Sequence, residues 1–190
     1  SLKDLKKLKE TGIVQFTAPL LDEKQLNEIH NFLKTQRAYP AHIPYYDKEH
    51  PISDPYNFKG QLLSFEAKTV INAPHLIEIV SSQRVLDLVV NYLGVTPTLF
   101  DLNVIFNFGG DEIYHETQHY HRDHDDFHHC LLMLYLNDVD LDSGGHLYAT
   151  GSHAKGHNSS AIAPIIEGND SVHDVYDQND NFIMETVTGL

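Results

Sequence analysis

The hydrophobic rhythm of the chain changes near residue 98. Before that point apolar positions recur at helical spacing: Leu26, Ile29 and Leu33 follow one another at intervals of three and four, which places them on one face of a helix. Asp22 with Gln25 three residues on forms a capping-box signature for the start of that helix. Upstream, Gly12-Ile-Val-Gln-Phe16 alternates in the manner of a short strand. Two short helices are expected further on, one starting near Asn72-Ala-Pro74 and one running from Ser82 to Leu93, where Gly94 stops it. Residues 38–60 carry four prolines and no clear period, and read as a long loop of the kind that serves as a lid.

After residue 98 the period becomes two. Leu102, Val104, Phe106 and Phe108 alternate with Asp101, Asn103, Ile105 and Asn107, as on a strand with one apolar face. Further strands are expected over about Gln118–His124, over the apolar run Cys130–Leu136, over His146–Thr150 and over Phe182–Val187. Residues 154–181 are polar and acidic and read as a surface excursion, a second candidate lid. Short strands between glycine turns, with helices outside them, predict a mostly β domain: a barrel or jelly roll flanked by N-terminal helices. The 190 residues are expected to form a single domain, with a helical and loop part over 1–97 and the jelly-roll core over 98–190.

Charge and composition narrow the function. A net charge of −14 argues against nucleic acid, whose phosphates demand clusters of Lys and Arg. No apolar run approaches about 18 residues, so no membrane span is expected. The charged start Ser1-Leu-Lys-Asp-Leu-Lys-Lys lacks the apolar stretch of a signal peptide. Cys130 is the only cysteine, which excludes an internal disulfide and a Cys-rich zinc site and fits a reducing, cytoplasmic setting.

Histidine is the outlier. Nine of the 14 fall between His115 and His157; a polar surface loop and a metal site both account for such a concentration, imidazole being the commonest protein metal ligand. On a strand, His121 and Asp123 point the same way. A histidine and a carboxylate supply two ligands of a facial triad, which a third histidine completes while leaving positions open on Fe(II). The pair alone carries no weight: 14 His and 17 Asp in 190 residues supply about one His-x-Asp by chance, and His124/Asp126 is a second one.

The order of motifs is more specific. Gln118-His-Tyr-His-Arg-Asp-His-Asp-Asp-Phe127, Leu134-Tyr-Leu-Asn-Asp-Val-Asp140 and Ser143-Gly-Gly-His-Leu-Tyr-Ala-Thr-Gly-Ser-His153 follow one another. In order and spacing they resemble the phytanoyl-CoA dioxygenase family of Fe(II)/2-oxoglutarate-dependent oxygenases. Gly12 to Phe32 and Pro74 to Gly94 are similar to that family's opening strand and helix and to its paired helices. The resemblance implies a double-stranded β-helix, cupin-like jelly roll lacking its last strands. It also implies hydroxylation of an unactivated C–H bond of a small organic substrate, with O₂ and 2-oxoglutarate as cosubstrates.

By that resemblance His121 and Asp123 are the iron ligands, and Asn107 and Gln118 hold 2-oxoglutarate. For Asn107 a satisfied polar group of the barrel wall is the alternative, and for Gln118 a cap at the strand entrance. Met133 lies where the family has a bulky cosubstrate neighbour, although core packing accounts for it as well. Arg122 faces away from the site, and His153 is expected to hydrogen-bond backbone rather than metal. The presence of Asp123, where halogenating relatives have a small residue, favours hydroxylation.

The distal histidine and the arginine that the family places after a turn like Thr188-Gly-Leu190 are not in the sequence. The expectation is therefore of a C-terminally incomplete chain. Two rival readings stay open. One is a cupin-type metalloenzyme in which His119 and His121 form the metal pair; the other is a non-catalytic barrel.

Overall fold

The computed structural model describes residues 1–42, 45–46, 51–56, 62–106, 128–140, 145–153 and 184–187. Helix α1 (Leu2–Thr11) leads to α2 (Glu23–Leu33), followed by β1 (Ala38–His42), β2 (Tyr45–Tyr46) and β3 (Leu63–Phe65). Three short helices come next, α3 (Ala67–Asn72), α4 (Leu76–Val80) and α5 (Gln83–Leu93), then β4 (Ile105–Phe106), β5 (His146–Ala149) and β6 (Met184–Val187). The first four strands form an antiparallel sheet in the order β2-β1-β3-β4. β5 and β6 pair separately, with His146 opposite Val187 and Ala149 opposite Met184.

Local sequence explains the helices. Asp22 accepts the Gln25 backbone N–H at 2.8 Å while Gln25 returns a bond from the Asp22 N–H at 3.0 Å, so the expected capping box starts α2. Ile29 and Leu33 are the buried face of that helix. α5 runs from its N-cap Ser82 to Gly94, whose φ of 77° ends the helix in the left-handed conformation that glycine adopts without steric cost.

One apolar cluster joins these elements: Ile29 and Leu33 from α2, Ala38 from β1, Leu63 and Phe65 from β3, Val70 from α3, Ala73 and Leu76 around α4, and Val104. Inside it, the buried Ser64 hydroxyl donates to the Val104 carbonyl at 3.4 Å, which satisfies a polar group that would otherwise cost stability there. α1 packs against α5. The Arg84 guanidinium of α5 lies 4.9 Å from the Phe16 ring and donates to the Ala18 and Pro19 carbonyls, fastening the segment that joins α1 to α2.

This architecture overturns the expected mostly β jelly roll. Among the described residues it is a small α/β arrangement of five helices with a small antiparallel sheet. Three readings fail for identifiable reasons. Among the described residues the alternation after residue 98 pairs with β3 over Ile105–Phe106, with the Val104 carbonyl also accepting the Phe65 N–H, while Leu99 and Phe100 before it are exposed. Cys130–Leu136 is not a strand; Leu134 and Leu136 pack against the core, so the apolar run encodes burial, which a short run specifies without fixing backbone pairing. Gly12–Phe16 is likewise no strand, since Gly12 is spent as the left-handed cap of α1, with φ 81°.

Helices α1 and α3 were not anticipated, and the 38–60 loop contains β1 and β2. Ala38 bridges to Ile52 there, with bonds of 2.9 and 2.7 Å. The strand expected at 146–150 is present as β5, and the one at 182–187 is present over Met184–Val187. The 154–181 excursion and the Gln118–His124 strand lie outside the described residues.

Candidate functional site

The residues expected to bind metal, His121 and Asp123, and those expected to hold the cosubstrate, Asn107 and Gln118, all lie outside the described residues, as do His119, Arg122, His124 and Asp126. What the structure describes is the frame from which the His-rich segment leaves and to which it returns. Upstream, Phe106 of β4 packs edge-on against Tyr56 at 4.9 Å and at a tilt against Phe65 at 5.8 Å between ring centroids. Downstream, His128 lies 5.5 Å from the Tyr92 ring of α5, and Leu134 and Leu136 sit against the core. Both ends of the segment are therefore seated on the N-terminal scaffold.

His30 is the pivot of that frame. Its Nε2 is 2.6 Å from the Leu136 carbonyl and its Nδ1 is 2.7 Å from the Tyr56 hydroxyl. A carbonyl can only accept, so Nε2 carries the proton and donates to it. In the neutral ring Nδ1 then accepts from Tyr56 O–H. The chain of bonds links α2, the turn at Tyr56 and the segment after the motif, and Lys34 adds a cation 5.3 Å from the Tyr56 ring centre. Burial holds the Tyr56 phenol above its ordinary pKa, which keeps it a neutral donor. Sequence reasoning missed His30 because its carbonyl partner is 106 residues away, and a helical pattern reports which residues face inward but not what they meet there.

The Gly-Ser-His motif has a structural task. The Gly151 N–H donates to the Thr11 carbonyl at 2.7 Å and the His153 Nε2–H to the Lys9 carbonyl at 3.2 Å. Both acceptors are last-turn carbonyls of α1, which have no partner within the helix. The motif thus caps α1 from another part of the chain, in agreement with the expected backbone bond of His153. Gly12 lies so close that a Cβ there would collide with the Tyr148 hydroxyl and the His153 ring.

Met133 is 46% exposed, which is at odds with the expected core packing. Tyr135 accepts the His146 backbone N–H at 2.9 Å, joining the segment after the motif to the start of β5. The Cys130 residue is exposed, yet desolvation around its sulfur raises the thiol above its ordinary pKa, which disfavours thiolate chemistry. Among the described residues no group of three or more His, Cys, Asp or Glu could hold a metal ion, and no helix is long and apolar enough to cross a membrane.

Comparison of the chain with protein-family models, curated proteins and solved structures returned no match.

Proposed function

We propose that this protein is an Fe(II)- and 2-oxoglutarate-dependent oxygenase that hydroxylates an unactivated C–H bond of a small organic substrate in the cytoplasm. One reading carries the proposal: three motifs, 118–127, 134–140 and 143–153, resemble those of the phytanoyl-CoA dioxygenase family in order and spacing. The chemistry of the donor set agrees. An imidazole from His121 and a carboxylate from Asp123 are two-thirds of the facial triad that suits Fe(II). When bound, that ion with 2-oxoglutarate supplies the means of activating O₂ for C–H oxidation.

The residues of the chain supply position. His121 and Asp123 would hold the ion, with neither acting as an acid or base, and Asn107 and Gln118 would hold 2-oxoglutarate, their side-chain amides being able to donate to a carboxylate. Further support comes from the scaffold on both sides of the motif, since a site of this kind works only if its ligands are held in place. The strongly acidic net charge favours a substrate without nucleotide phosphates, so a CoA ester is not implied.

The test is an anaerobic titration of Fe(II) and 2-oxoglutarate into the natural full-length protein, followed by the visible charge-transfer band of the chelate. A band that is lost in His121→Ala and retained in His119→Ala is the expected result. Metal binding lost equally in His119→Ala overturns the proposal in favour of the cupin pair, and absence of metal binding overturns it in favour of a non-catalytic protein.

A further inference from the structure

Helix α4 begins at a residue whose backbone is unfavourable for most side chains. His75, its N-cap, has φ 66°, and it is the one non-glycine residue with positive φ among the described residues. Its side chain makes no capping bond to the helix. Instead both ring nitrogens meet carboxylates. Nε2 is 2.6 Å from Oε2 of Glu28 on α2, and Nδ1 is 3.5 Å from Oε2 of Glu78 in the first turn of α4. Ionised carboxylates only accept, and a neutral imidazole carries a single N–H. Only the imidazolium can donate to both partners.

The position gives this arrangement a mechanical role. The next residue, Leu76, belongs to the apolar cluster that contains Ile29 and Leu33 of α2. The polar link from His75 to Glu28 therefore joins two helices that also share that apolar cluster. We infer that the protonated His75 ring is a clamp that fastens the start of α4 to α2, and that loss of its proton releases it.

The surrounding charges set the direction. The bond to Glu28 is the largest influence and raises the His75 pKa above the ordinary 6.5; burial opposes it, and Glu78 adds to the rise. From α2, Glu28 is itself approached by Lys24 at 3.8 Å. The other charged side chains on helices packed against α4 are Lys68 on α3 and Arg84 and Asp87 on α5. Arg84 is engaged by the Ala18 and Pro19 carbonyls and Asp87 by Gln83, so the attraction acting on His75 comes from Glu28 and Glu78. A histidine whose pKa is raised by folding contributes stability that is fully present below its unfolded value. That contribution is lost as pH rises through the folded value. The clamp is closed in mild acid and opens as pH rises through a midpoint raised above the ordinary histidine value.

The experiment is a pH titration of the whole protein with two readouts: the NMR resonance of the His75 ring, and hydrogen exchange of the Ile79 amide, which donates to the His75 carbonyl at 2.8 Å. Exchange is corrected for its intrinsic pH dependence. In the wild type the ring midpoint should lie above 6.5, and Ile79 protection should fall several-fold as the ring deprotonates. Glu28→Gln should lower the midpoint, and by more than Glu78→Gln does. His75→Asn keeps a residue that tolerates the left-handed backbone, and its Ile79 protection should be independent of pH. A midpoint unchanged by Glu28→Gln, or the same pH-dependent loss of Ile79 protection in His75→Asn as in the wild type, overturns the clamp.

Discussion

Phe65 and Phe100 carry the same side chain in regions that treat it in opposite ways. Phe65, on β3, is 1% exposed and lies in the apolar cluster; Phe100, on the run leading to β4, is 66% exposed. The contrast extends to their neighbourhoods. Before residue 98 the apolar side chains of α2, β1, β3, α3, α4 and α5 close over one another, whereas after it, among the described residues, only Val104, Val139 and Ala149 are buried apolar residues. Leu99, Ile105, Leu131 and Met133 are exposed. The first region supplies the scaffold, and the described parts of the second lean on it through Phe106, Leu134 and Leu136. The histidines divide in the same way. His30 and His75 are committed to protein partners in the scaffold, while most of the chain's histidines lie in the second region, where the proposed chemistry resides.

The largest expected effect tests this contrast directly. Phe65→Ala should cost about 3–5 kcal/mol, because it removes a fully buried ring and leaves a cavity that its neighbours fill only in part. Phe100→Ala should stay within about 0.5 kcal/mol, as exposed substitutions do. Both are read from denaturant midpoints at constant m-value. A cost at Phe100 comparable to that at Phe65 would break the division between the regions and reveal a second packed core.

The next effect concerns the junction between the regions. Gly12 and Gly94 both end helices with positive φ, at 81° and 77°, so alanine at either position bears the left-handed backbone penalty of about 1–2 kcal/mol. Only at Gly12 does the added Cβ also strike other side chains, those of Tyr148 and His153; nothing lies within reach of it at Gly94. Gly12→Ala should therefore be the more destabilising, by more than about 1 kcal/mol over Gly94→Ala. It should also raise hydrogen exchange at the Gly151 amide, which bonds to Thr11. Equal costs would mean that the Gly-Ser-His turn is not firmly docked on α1.

How much of this was legible beforehand follows the same line. The capping box at Asp22, the buried face of α2 and the stop at Gly94 are local features, and local sequence specified them. β5 was legible for the same reason. The apolar run Cys130–Leu136 specifies hydrophobicity without backbone partners, and the Leu136 carbonyl is bonded by His30 on a distant helix. In α1 the apolar positions Leu2, Leu5 and Leu8 recur at helical spacing, but none of the residues of that helix is buried, so it carries no core face by which to be recognised. The jelly roll failed because it extrapolated alternation into pairing. A strand needs a neighbour, and period two alone does not supply one. His121 and Asp123 are read from the order of motifs, and both lie outside the described residues.

The smallest effect asks whether legible local signals in the scaffold carry energy. Asp22 and Ser82 are both N-caps with extended backbone, and both belong to residue types favoured there. Yet the Asp22 carboxylate accepts the Gln25 N–H, whereas Ser82 makes no side-chain capping bond and only its carbonyl serves the helix, accepting from Leu86 at 2.9 Å. A carbonyl is common to all residues, so alanine keeps it. Asp22→Ala should cost about 1 kcal/mol, and Ser82→Ala a few tenths of that, measured in the same denaturant series. If the two costs are equal, residue type at the cap matters more than the bond it makes. The scaffold would then rest on backbone preferences throughout, and the difference between the two regions would lie in burial alone.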